Sequence, residues 1–63
     1  MDMPLKIETV IGSIAFRVLI EPADDGMYIA RCLQTGAVAV GATVEEAEML
    51  IKAIIQRAAE ERG

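Results

Sequence analysis

Histidine and tryptophan are absent from this 63-residue chain, and cysteine, phenylalanine and tyrosine occur once each. Each shortage removes a class of explanation. The single cysteine, Cys32, cannot close a disulfide within the chain, and in a reducing compartment it stays a thiol. A structural zinc site needs several thiolate or imidazole ligands, which one cysteine without histidine does not supply, so neither a metal nor a cofactor is expected. Nucleophilic catalysis by Cys32 would need a base to take its proton, and the usual base is missing. The two aromatic side chains, Phe16 and Tyr28, are few for a surface that stacks nucleic-acid bases. No apolar run approaches the roughly 20 residues of a membrane span. The start, Met1-Asp2-Met3-Pro4, lacks the basic region of a signal peptide, so a cytoplasmic protein is expected.

What is present fits a single small domain over residues 1–63. A chain of this length buries only about 60% of its unfolded surface, and its core is marginal without outside help. With disulfides and metals set aside, oligomerisation remains as the source of that help. Ten acidic against six basic residues give a net charge of −4. This opposes the phosphate neutralisation that drives nucleic-acid binding and suits a basic partner, although it also serves solubility.

From Leu5 to Ile20 the chain alternates and is rich in Ile and Val, the pattern of extended structure, interrupted at Gly12-Ser13. Beyond that break Ile14, Phe16, Val18 and Ile20 share one strand face, while Ala15, Arg17, Leu19 and Glu21 share the other. Pro22-Ala23-Asp24-Asp25-Gly26 carries turn formers and predicts a hairpin. The return strand, Met27 to Leu33, sets Tyr28, Ala30 and Cys32 against Met27, Ile29, Arg31 and Leu33. Gln34-Thr35-Gly36 turns the chain again, and Ala37 to Val40 reads as a short strand bounded by glycines. Thr43 and Glu46 have the spacing of a capping box, in which the threonine oxygen accepts from the Glu46 N–H and the glutamate reaches back to the cap. From there Val44, Ala47, Leu50, Ile51, Ile54, Ile55 and Ala58 recur at helical spacing as one apolar stripe suited to covering a sheet. The expected fold is α+β: a three-stranded antiparallel sheet, extended if the N-terminal segment joins it, packed on one C-terminal helix.

Asp24-Asp25-Gly26-Met27-Tyr28-Ile29-Ala30 matches a D-G-x-Y-x-A hairpin, and Gly41-Ala42-Thr43-Val44-Glu45-Glu46-Ala47 matches a G-x-T-x-E-E-A helix start. Together, in this order of strands and helix, they resemble the HicB-like antitoxin domain over most of the chain. The resemblance implies a fold partly like a double-stranded-RNA-binding domain. It also implies a non-catalytic function, the sequestration of a small basic HicA-like mRNA interferase. The sequence departs from the family pattern in three places. Thr35-Gly36-Ala37 stands where the family often has Pro-Gly-Cys. An apolar residue near Leu50 stands where an Asn is usual. No helix-turn-helix or ribbon-helix-helix segment follows the helix, so direct DNA binding is not expected.

The residues offer little chemistry of their own. Asp24 and Asp25 are adjacent carboxylates in a turn, where carboxylates commonly serve as turn formers, and Glu45 and Glu46 suit the positive end of a helix. The fold family is distantly similar to ribonuclease H, whose chemistry rests on separated carboxylates gripping two metal ions. Here only Glu8 and Glu21 fall in strand-like segments. No phosphate loop or dinucleotide fingerprint occurs, and no enzyme activity is expected. The four acidic residues Asp24, Asp25, Glu45 and Glu46 are instead the candidate surface for a basic partner. If the helix covers the Phe16 and Tyr28 face, the opposite face presents Leu19, Met27, Ile29, Arg31 and Leu33, with Val38 and Val40 near them. That face is apolar beyond what one exposed side of an antiparallel sheet normally carries. It predicts a homodimer or higher oligomer buried by sheet packing or edge pairing, unless residues Leu5 to Ile11 fold back over it. The alternatives to the antitoxin reading are a self-associating structural or regulatory domain without a toxin partner, and a minimal RNA-binding module.

Overall fold

The computed structural model describes residues 5–62; Met1 to Pro4, read above as lacking a signal sequence, lie outside them. Strands β1 (Leu5–Ile11), β2 (Ile14–Pro22), β3 (Tyr28–Cys32) and β4 (Val38–Gly41) precede one helix, α1 (Val44–Arg62). The strands form a four-stranded antiparallel sheet in chain order. The α+β arrangement of sheet and C-terminal helix is as expected, and the N-terminal segment completes the sheet as a full strand. It does not fold back over the open face. β1 pairs with β2 along its whole length, from Leu5 opposite Ile20 to Ile11 opposite Ile14.

The reason lies at Gly12-Ser13. With Ile11 paired to Ile14, these two residues are the entire loop. Gly12 takes φ 64° while Ser13 stays at negative φ, the requirement of a hairpin turn with glycine at its first central position, whose twist matches that of the strands. A break in the alternation is therefore a reversal of the chain. Between β2 and β3 the loop closes with the Ala23 N–H donating to the Met27 carbonyl at 2.7 Å. Within it the Asp25 carboxylate accepts from the Met27 N–H at 3.2 Å. Between β3 and β4 the Gly36 N–H donates to the Cys32 carbonyl at 2.9 Å, and the Thr35 hydroxyl accepts from the Ala37 N–H at 3.1 Å.

The helix starts as its capping box predicts, with one change. Thr43 Oγ1 accepts from the Glu46 N–H at 3.0 Å, but the Glu46 carboxylate reaches past the cap residue to the N–H of Ala42. Four residues of the helix stripe, Val44, Ala47, Ile51 and Ile55, pack on the sheet, with Ala47, Ile51 and Ile55 fully buried against Val18, Ile20, Ala30, Cys32 and Ala39. The stripe is narrower than its sequence suggests. Leu50 and Ile54 are 42% and 40% exposed, and Ala58 is also exposed. The helix packs over β4, β3 and part of β2, so the flank carrying Leu50 and Ile54 has no strand beneath it. Among the described residues no helix is long and apolar enough to cross a membrane.

Candidate functional site

The register gathers the four acidic candidates at one end of the sheet. Tyr28 opens β3 opposite Gly41, the last residue of β4, so the β2–β3 loop holding Asp24 and Asp25 and the helix start holding Glu45 and Glu46 lie at the same end. Their local roles differ. Asp25 holds its own loop through Met27, and Glu46 holds the helix start through Ala42. Asp24 and Glu45 are exposed and, among the described residues, make no side-chain hydrogen bond or ion pair. The arrangement is an acidic end with two carboxylates committed to the fold and two free for a cation.

The second candidate surface is the sheet face turned away from the helix. Leu19 pairs with Arg31, and Ile29 with Val40, which places them on this face; Leu19 and Ile29 are half-buried and Arg31 is exposed. Met27 and Leu33, assigned to β3 by the alternation, fall just outside it at either end, where Met27 is half-buried and Leu33 is 58% exposed. Val10, Val38 and Val40 are each at least half exposed. On β1 and β2 the apolar Val10 and Leu19 stand among Lys6, Glu8, Arg17 and Glu21, whereas on β3 and β4 Arg31 alone interrupts the apolar residues. Arg31 and Glu21 approach to 4.0 Å, both well exposed, a pair worth little to stability.

Two further residues, Gln34 and Thr9, carry roles that hydrophobic patterning does not reveal. Gln34 lies beyond the end of β3, yet its side-chain amide continues that strand's ladder: Oε1 accepts from the Arg17 N–H at 2.9 Å and Nε2 donates to the Ala15 carbonyl at 3.3 Å. Thr9 is buried at 5% exposure, and its hydroxyl has no hydrogen-bond partner among the described residues. A strand threonine amid aliphatic neighbours is a signal for the second, but the first depends on where β3 stops.

Phe16 and Tyr28 both pack against the core on the helix side. The open face carries no aromatic side chain for base stacking. Cys32 is a buried free thiol. A cleft of about 460 Å³ between the second half of the helix and β2 is lined by Ile14, Phe16, Ile55 and Ala58, with Gln34 and Thr35 at its rim. Apart from Gln34 and Thr35 its lining is apolar. Among the described residues no three Asp, Glu or Cys side chains gather as metal ligands. Compared with family models, curated proteins and solved structures, the chain matches none.

Proposed function

We propose that this chain is a non-catalytic, cytoplasmic binding subunit of HicB-like antitoxin type, which self-associates through its sheet and docks its acidic end on a small basic RNA-cleaving protein. The observation that carries the binding reading is the open face of the sheet, where Leu33, Val38 and Val40 stand half or more exposed beside half-buried Leu19 and Ile29. A sheet meant to face water alternates its polar side outward. The identity of the partner rests on the hairpin and helix-start motifs and on the net charge of −4. Placement of both aromatics on the covered face counts against base stacking and so against an RNA-binding module.

The test is capture of the tagged protein from its own cell lysate, with mass spectrometry of what co-purifies. A stoichiometric small basic protein is expected. Its affinity should fall at least about tenfold on substitution of Asp24→Lys together with Glu45→Lys, and the dependence of binding on salt should flatten. These two positions leave the loop and capping contacts of Asp25 and Glu46 intact. Recovery of a homo-oligomer alone would reject the toxin partner and leave the self-associating domain. Unchanged affinity in the double variant would reject the acidic end as the docking surface.

A further inference from the structure

We propose that β1 pairs edge to edge with β1 of a second copy of this chain, antiparallel about a two-fold axis at Ile7, so that Lys6 of each copy lies opposite Glu8 of the other. This gives the self-association in the reading above a specific geometry and does not depend on a toxin partner.

The argument begins with the direction of backbone groups. β1 is an edge strand with β2 on one side only. The Arg17 N–H donates to Gln34 Oε1 at 2.9 Å, and the Arg17 carbonyl accepts from the Leu33 N–H at 3.0 Å. Both groups of Arg17 are therefore turned toward β3, away from its partner Glu8. In an antiparallel ladder such a pair is the non-hydrogen-bonded kind, and the N–H and C=O of Glu8 point out from the sheet edge. The Ala15 carbonyl also faces Gln34, which puts Val10 in the same state, and the alternation of the ladder extends it to Lys6. The free edge thus presents the backbone groups of residues 6, 8 and 10.

A copy of β1 bonds to this edge through the same outward groups, so even-numbered residues must face even-numbered residues. Few registers satisfy that. Placing Lys6 opposite Lys6, or Glu8 opposite Glu8, sets like charges against each other, which is destabilising in directly opposed pairs. Centring the axis on Ile7 sets Lys6 against Glu8 in both directions and makes both pairs hydrogen-bonded ones. Because Glu8 already lies beside Arg17 and Lys6 beside Leu19, the row across the junction reads Arg17, Glu8, Lys6, Leu19, and its three charges alternate in sign. On the helix side Ile7 meets Ile7, and Leu5, which is 45% exposed, meets Thr9.

Charged residues on an edge strand commonly keep other strands away. A protective edge works by like charge or by charge that no partner can match, whereas Lys6 and Glu8 flank Ile7 with opposite signs, a pairing that is self-complementary under a two-fold axis. The product is a continuous eight-stranded sheet with both helices on one face.

Sedimentation velocity and light scattering on the isolated full chain test this. Wild type is expected to be a dimer. Lys6→Glu, which leaves Glu8 facing a glutamate across the axis, should weaken dimerisation at least about tenfold, and adding Glu8→Lys should recover much of the loss. Glu8→Pro removes an outward N–H together with the carboxylate that faces Lys6, and should give a monomer whose circular dichroism remains that of the folded chain. A monomeric wild type would overturn the proposal, as would a dimer unaffected by Lys6→Glu and Glu8→Pro. A dimer that resists both but dissociates on Val38→Glu with Val40→Glu would assign the contact to the sheet face instead.

Discussion

Thr9 shows what a single atom costs in so small a core. Its Oγ1 is enclosed on the helix side of β1 without a hydrogen-bond partner among the described residues, and a buried hydroxyl in that position gives up its hydration for nothing, at a cost of about 1–3 kcal/mol. Valine has the same β-branched shape and replaces the hydroxyl with a methyl group. Thr9→Val should therefore stabilise the fold by roughly 1 kcal/mol, raising Tm by about 4–8 °C for a domain of this size, as measured by thermal melting at one fixed protein concentration. A lowered Tm would mean that the hydroxyl has a partner. Gly41 carries the opposite risk. A Cβ there would lie 2.6 Å from the backbone nitrogen of Ala47, and backbone cannot rotate aside as a flexible side chain can. Gly41→Ala should destabilise by about 1–3 kcal/mol through overpacking, seen as a lower midpoint in urea. An unchanged midpoint would show that β4 and the helix can separate without loss.

At the scale of elements, the alternation and the helical stripe were legible because each has a period that burial on one face imposes. Phe16, Val18 and Ile20 do face the helix together, as do Tyr28, Ala30 and Cys32, and the capping box at Thr43 does start the helix. What was not legible depends on distances between elements. The sequence of the helix does not reveal how far the sheet extends beneath it, so Leu50 and Ile54 looked equivalent to Ile51 and Ile55. Hydrophobicity at Leu5 to Ile11 likewise suited either a strand or a flap over the open face. The two-residue turn decides between them, because Gly12 at positive φ sends the chain straight back along its own path. Gln34 was hidden for another reason: a side-chain amide standing in for strand backbone leaves no periodic trace. The acidic residues were readable as a set, but their division into Asp25 and Glu46, which hold local structure, and Asp24 and Glu45, which do not, required the turn and cap geometry.

For the whole molecule, the question is how one helix of 19 residues stabilises four strands. The helix covers β3 and β4, and β1 gains most of its contacts from β2 alone. The most weakly supported strand is thus the one with a free, self-complementary edge. Association would supply the second neighbour that β1 lacks, and folding would then be linked to protein concentration. Tm should rise as concentration is raised across two to three orders of magnitude in wild type and stay flat in Glu8→Pro, with calorimetry or circular dichroism as the readout. Amide exchange should show the same difference locally, with protection of the outward N–H groups of Lys6 and Glu8 in concentrated wild type and rapid exchange of the Lys6 N–H in the proline variant. A wild-type Tm independent of concentration would mean that the four strands and one helix are stable by themselves. The apolar face of β3 and β4 would then be left as the surface for self-association.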